Sequence, residues 1–277
     1  MSTVEEQQAI ANLRSHGATI RLANGHVIGL QFESLSPQLS ENDLLAIRHL
    51  PSLQELDLYG TPVTNAVLCQ LRILHNLRAV NLNCTGIGDA GVQHIAAWSR
   101  LTQLSLMETQ VTDTLKDVLL SLRFLEDLRL DGTHISADVV QELGRHLPLV
   151  RLWMDGKQAS NACLEVLASN RSLHDLNLVG PHVTDGTLQR LSTFHRLRSL
   201  SLLRTSVTAD GLTVLSTLTE LEQLVLNGSH LITDEAIAHL CGMRQLKMLW
   251  VPDTGMSTQG KRELRTSLPN TRIWPLQ

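Results

Sequence analysis

Aromatic side chains are scarce in this 277-residue chain, at 3% of residues: one Tyr, three Phe and four Trp. A core built almost without rings must be filled by aliphatic side chains, and apolar residues still make up 43% of the sequence. Cysteine is also rare. Cys69, Cys84, Cys163 and Cys241 show no paired spacing, which predicts reduced thiols and excludes a disulfide framework. There is no basic excess: the formal charge of -4 lacks the positive footprint that general nucleic-acid binding requires. No apolar run approaches the ~20 residues needed to span a bilayer. The opening stretch MSTVEEQQAI has no basic segment leading into an apolar one, so no signal peptide is visible. Together these absences predict a soluble cytoplasmic protein. Recognisable chemistry is missing as well. No P-loop, G-x-S-x-G elbow, H-E-x-x-H or Cys-x-x-Cys occurs, so neither an enzyme nor a cofactor is expected.

What is present is a period. Its cleanest copy runs Leu173-x-x-Leu176-x-Leu178, then Pro181, Val183-Thr184-Asp185, Leu188, Leu191 and Phe194. Other copies start at Leu53, Leu77, Leu101, Leu125, Leu149, Leu197 and Leu221, each 24 residues after the last, and one residue later than that at Leu246. A fixed period of this length is the signature of stacked repeats, which overrides the two-domain prior that length would suggest. Within a copy, L-x-L alternates apolar and polar residues, the period of a strand with one buried face. The Thr that follows (Thr61, Thr85, Thr109, Thr133, Thr205, Thr254) can hydrogen-bond backbone in a turn. Val-Thr-Asp then supplies an inward apolar residue, an N-cap, and an acid at the positive end of a helix dipole. Leucines three residues apart bury one helical face.

This spacing resembles the leucine-rich-repeat family, in its Thr-bearing bacterial and ribonuclease-inhibitor-like style, over about residues 27–270. The resemblance implies an α/β fold: a right-handed solenoid (horseshoe) with a parallel sheet on the concave face and short helices on the convex face. One domain is expected. Residues 1–26 form an N-terminal helical cap around VEEQQAIANLRS, and 27–256 form nine to ten repeats. Residues 257–277 form a last helix and a closing cap with Pro269, Ile273, Trp274 and Pro275. In the worn first repeat Val27, Leu30 and Phe32 match the strand, LSPQLSEND departs from the pattern, and Ser40 caps a helix through Leu44, Ile47 and Leu50. Leu231-Ile232-Thr233-Asp234-Glu235-Ala236-Ile237 also looks like the repeats of ubiquitin-ligase substrate receptors. Such receptors carry an F-box before the repeats, for which 26 residues leave no room, so an adaptor of this kind would recruit through another chain.

Two repeats depart from the pattern. The one beginning at Leu149 places Lys157, Ala159 and Asn170 in the Thr, Val and last apolar columns, and the one beginning at Leu101 places Lys116 where leucine belongs, beside Leu115. Gly86-Ile87-Gly88-Asp89-Ala90-Gly91 matches G-x-G-x-x-G, yet it aligns with the turn of every other copy, so Ile87 reads as core. His134, His182 and His230 share a column but come from every second repeat, roughly 10 Å apart at ~4.8 Å per strand, too far for one zinc ion.

The register also selects the strand side chains that face away from the core. They run Glu55, Asp57, Tyr59; Ala79, Asn81, Asn83; Gln103, Ser105, Met107; and Asp127, Arg129, Asp131. Next come Arg151, Trp153, Asp155; Asp175, Asn177, Val179; Ser199, Ser201, Leu203; Gln223, Val225, Asn227; and Met248, Trp250, Pro252. Asp127, Arg151 and Asp175 are expected to form an acid–base–acid ladder, with Asp131 and Asp155 a like-charge pair beside it. Trp153 amid arginines has the composition of a binding hot spot, or else stacks on Arg129 or Arg151 within the fold. Tyr59, Met107 and Trp250 join this protein-binding face, while Trp98 falls in an inward column. A secondary basic patch comprises Arg244, Lys247, Lys261, Arg262, Arg265 and Arg272 against Asp253 and Glu263. The predicted function is a monomeric, non-enzymatic scaffold gripping a protein partner, with no nucleic acid, membrane or metal.

Overall fold

Short strands with one buried edge recur wherever L-x-L recurs. The computed structural model describes residues 3–32 and 39–275, so the departure at residues 35–38 lies outside the described residues. The chain forms two units, Met1–Ile135 and Ser136–Gln277. The first holds strands β1 (Ala18–Ala23), β2 (His26–Phe32), β3 (Glu55–Asp57), β4 (Ala79–Asn81), β5 (Gln103–Ser105) and β6 (Asp127–Arg129), side by side in chain order. Its helices are α1 (Val4–Ser15), α2 (Glu41–Leu45), α3 (Asn65–Leu71), α4 (Asp89–Val92) and α5 (Lys116–Ser121). The second holds β7 (Arg151–Asp155), β8 (Asp175–Val179), β9 (Ser199–Leu203), β10 (Gln223–Val225), β11 (Met248–Trp250) and β12 (Arg272–Trp274), again in chain order. Its helices are α6 (Ala137–His146), α7 (Asn161–Ser169), α8 (Asp185–Arg190), α9 (Ile237–Cys241) and α10 (Thr258–Ser267).

Within each unit the strands from β2 onward pair in parallel, and each inward apolar residue meets its counterpart one repeat on: Leu56 faces Val80, Leu176 faces Leu200 and Leu224 faces Leu249. The inward columns are buried as the period predicts, including Trp98 at 0% exposure, whose Nε1–H donates to Leu71 O at 3.2 Å. Several helices tighten into 3-10 turns, and Asp210–Thr217 is 3-10 throughout. DGLTVLST is rich in Gly, Thr, Val and Ser, all weak helix formers.

The ends differ from expectation. Residues 4–15 are helical, but Ala18–Ala23 form a strand that pairs antiparallel with β2, so the N-terminal cap is a helix plus a hairpin. The Asn24-Gly25 turn, with φ of 51° and 81°, makes that hairpin. Glu6 fastens α1 to it from a buried position, accepting from Val27 N at 3.3 Å and lying 3.1 Å from His26 Nδ1. At the other end Arg272–Trp274 extends the sheet, so Ile273 is core but Trp274 stands out at 39% exposure and is not folded into a cap.

Turn chemistry follows the sequence closely. Thr61, Thr85, Thr109 and Thr254 each donate a hydroxyl to the carbonyl three residues earlier, at 2.6–2.9 Å. Caps form at Ser40, Thr64, Ser136, Ser160 and Ser257. The residue just before the Thr column takes left-handed backbone in every 24-residue copy except the irregular one from Leu149. Gly60, Gly132, Gly180 and Gly228 adopt it freely, whereas Cys84, Glu108, Arg204 and Asp253 are held there at φ of 53–55°. We therefore expect Arg204→Gly to stabilise the protein by about 1 kcal/mol, because relief of left-handed strain exceeds the added chain entropy. A lower midpoint in urea titration would contradict this.

The acids after the caps do more than complement helix dipoles. Asp185 accepts from both the N–H and the hydroxyl of Thr208 in the next repeat, at 2.8 and 2.7 Å. Asp89 does the same with Thr112, and Asp234 with Ser257. Burial works against ionisation of Asp89, but hydrogen bonds from Thr114 and Thr112 outweigh it and hold the carboxyl below the usual carboxylate range.

The irregular repeats are internally resolved. Leu115 is buried and Lys116 is exposed, so the local 3-10 turn Asp113–Leu115 brings the leucine inward one residue early. In the repeat from Leu149, Gln158 is buried and its Oε1 accepts from Asp155 N at 2.8 Å, in the turn where Thr would serve. Asn170 Nδ2 donates to Gly144 O and Leu147 O at 2.8 and 3.0 Å, tying two repeats together where a leucine would only pack.

Candidate functional site

Strand geometry places alternate side chains on the face away from the core, and register sets which of them are neighbours. In the first unit one column reads Gly29, Glu55, Ala79, Gln103, Asp127 and the next Gln31, Asp57, Asn81, Ser105, Arg129. Between them lies a trough of about 440 Å³, with Ala79 and Gly29 as its smallest lining residues. Thr19 and Arg21 of β1 wall one end, and Arg21 Nη2 pairs with Glu55 at 2.6 Å. These two were not read from sequence as site residues, since Ala18–Ala23 carries no repeat pattern. The hairpin signal Asn24-Gly25 could have revealed the strand.

Much of this face is internally ordered. Asn83 is 4% exposed; its Oδ1 accepts from Ser105 Oγ at 2.6 Å and from Met107 N at 2.8 Å. Asp131, expected on the face away from the core, is 6% exposed. Asp127, Arg129 and Met107 are half-buried. Tyr59 is exposed at 41%, and a hydrogen bond with the Cys84 thiol raises its phenol above the ordinary range.

In the second unit the register pairs Arg151 with Asp175 and Trp153 with Asn177. The Arg151–Asp175 rung of the expected ladder is formed, with Nε donating to Oδ2 at 2.7 Å. Asn177 shares the outward column with Trp153 but is buried, and it donates Nδ2–H to Asp175 Oδ1 at 2.9 Å. Trp153, Asp155 and Trp250 are half-buried, and neither Trp153 nor Asp155 is without a partner in the fold. The basic residues do not act as one patch. Lys247 Nζ is 2.7 Å from Glu222 Oε1, and Arg265 donates to Pro275 O, while Arg244, Arg262 and Arg272 are exposed and Lys261 half-buried.

His134, His182 and His230 are exposed, and among the described residues no group of three or more His, Cys, Asp or Glu is placed to hold a metal ion. No disulfide is formed: all four cysteines are free, and burial pushes the Cys163 thiol up to about 12. Gly86–Gly91 is structural. Ile87 is core, and a Cβ at Gly91 would lie 2.4 Å from Asn65 Oδ1, so glycine there serves packing. Among the described residues no helix is long and apolar enough to cross a membrane.

The structure of the Arabidopsis receptor kinase HAESA, in complex with the peptide hormone IDA and the co-receptor SERK1, is similar at 19% identity and a TM-score of 0.53. The match covers 90% of this chain and 46% of that one. A second structure of HAESA, its LRR ectodomain in complex with an N-terminally extended IDA peptide, matches at 18% identity and a TM-score of 0.47, over 91% and 47% of the two chains. The fold is the leucine-rich-repeat solenoid. The internalin inlF of Listeria monocytogenes also matches this solenoid, at 16% identity and a TM-score of 0.49, over 98% of this chain and 94% of that one. The solenoid spans about half the length of the HAESA chain. No protein-family model and no curated protein matches the sequence.

Proposed function

We propose that this solenoid is a non-enzymatic scaffold that binds a protein partner on the strand face. The observation that carries the reading is the trough over β2–β6, a preformed depression lined by paired carboxylates, guanidinia and amides at fixed strand spacing. Side chains already ordered by cross-strand bonds lose little entropy on binding, which converts contacts into affinity efficiently. HAESA, with the same fold, is described in complex with a peptide hormone, and the strand-face reading gives this chain a partner of the same broad kind. In the first unit the proposed face takes in Tyr59, Met107, Asp127, Arg129 and Asp131; in the second it takes in Arg151, Trp153, Asp155, Asp175, Asn177 and Trp250.

Affinity capture from the native cell tests this, with wild type compared against Ala79→Arg, which fills the trough, and Trp153→Ala. Trp153→Ala is expected to weaken capture by ~2 kcal/mol, about thirtyfold, as hot-spot truncations do. The variants must keep the wild-type melting profile. Equal recovery of the same partner by all three proteins removes the strand face as the binding surface.

A further inference from the structure

The two aromatic residues nearest the end of the second unit are brought together by register. Trp250 on β11 lies directly opposite Trp274 on β12, and Val225 on β10 lies opposite Trp250. Leu249 and Ile273, which alternate with them, are buried, so Val225, Trp250 and Trp274 form a continuous apolar ridge on the outward face, with strands ~4.8 Å apart. In a chain with eight aromatic residues, two stand side by side here, with Trp274 39% exposed and Trp250 half-buried.

Charge supplies the second observation. Arg272 precedes Trp274 by two residues on the same outward face, opposite Met248, and is exposed. Its guanidinium has no ion-pair partner among the described residues. The chain carries -4 overall, yet residues 244–277 hold six cations against Asp253 and Glu263. Of those six, Lys247 is neutralised by Glu222, and Arg265 is tied to a carbonyl.

We propose that the outward face of β10–β12 docks an acidic protein segment that sets an apolar side chain on the Trp250–Trp274 ridge and a carboxylate on Arg272. The inference extends the strand-face reading by giving one part of that face a partner chemistry. It also assigns a role to Trp274, which sequence had placed in a cap. Aromatic ridges flanked by unpaired guanidinium select such segments because the rings reward apolar contact while the cation rejects basic competitors.

The test uses the full chain and a fluorescein-labelled peptide of eight residues, two central leucines flanked by glutamate and aspartate, followed by anisotropy. Two controls replace its acids with lysine or its leucines with serine. Binding by the first peptide alone, weakened at least tenfold by Trp274→Ala and by Arg272→Glu and unchanged by Ala79→Arg, supports the proposal. No binding, or equal binding of either control, overturns it, as does a Trp274→Ala protein that binds normally but melts earlier, which would make the ridge a sheet-stabilising pair. Concentration-dependent dimerisation lost in Trp274→Ala would assign the ridge to a second copy of the chain, and preferential binding of oligothymidylate would assign it to nucleic acid; each overturns the proposal. Loss of peptide binding leaves the Ala79→Arg capture experiment standing, so the two readings fail separately.

Discussion

Replacing Trp98 by alanine is expected to cost about 3–5 kcal/mol of folding stability, a large share of what a protein of ordinary stability possesses. Trp98 is the largest fully buried side chain, at 0% exposure, and it holds a leucine-type column of the repeat. Truncation leaves a cavity that stacked repeats on either side cannot collapse, since each is held by its own strand pairing. It also strips the Leu71 carbonyl of the Nε1–H donor it accepts from at 3.2 Å, in a place water does not reach. Trp98→Phe separates the two contributions: it retains most of the volume and loses the donor, so it should fall between wild type and Trp98→Ala. Denaturant titration gives both values. A loss below 1 kcal/mol for Trp98→Ala would mean that neighbouring repeats do refill the space.

Gly211→Ala is expected to be nearly as damaging, for a reason no helix-propensity scale contains. An added Cβ would sit 2.1 Å from Asp185 Oδ1 and 2.6 Å from its Cγ. The carboxylate must therefore leave, and with it go both bonds to Thr208. Charge-assisted bonds of this kind contribute about 1.5–3 kcal/mol each, and the displaced carboxylate, half-buried at this site, regains part of that from water, so a net loss of about 2–4 kcal/mol is expected. The double mutant decides the cause. In an Asp185→Ala background only the Cβ of residue 185 stays close, at 3.1 Å, and Gly211→Ala should then cost much less. Additive losses would show that glycine serves some other purpose there. The same arrangement recurs at Asp234 with Gly260, where the corresponding Cβ distance is also 2.1 Å, so Gly260→Ala should behave alike.

These two cases show where sequence reading reached and where it stopped. Trp98 was legible as core because it occupies an inward column of a period counted over many copies. The Asp–Gly clasp was not, because its partners are 23 and 26 residues apart and each alone has a simpler explanation: a dipole acid, and a glycine near a turn. Irregular repeats were legible as departures but not as solutions. Asn170 breaks the apolar pattern, and only the carbonyls of Gly144 and Leu147 explain why an amide is kept there. On the strand face, register correctly predicted the Arg151–Asp175 pair, while the burial of Asn83, Asp131, Asn177 and Ser201 in outward columns was not legible from register alone.

By itself the sequence determined the period, hence the strands, their parallel register and which side chains point inward, because one buried stripe per repeat leaves the chain a single way to hide its leucines. Tertiary structure alone decided that residues 18–23 pair as a strand, that Trp274 stands beside Trp250, and that a trough opens over Ala79. Those features arise from contacts between residues of different repeats or outside any repeat. A pattern read along the chain has no means of measuring the space left between its copies.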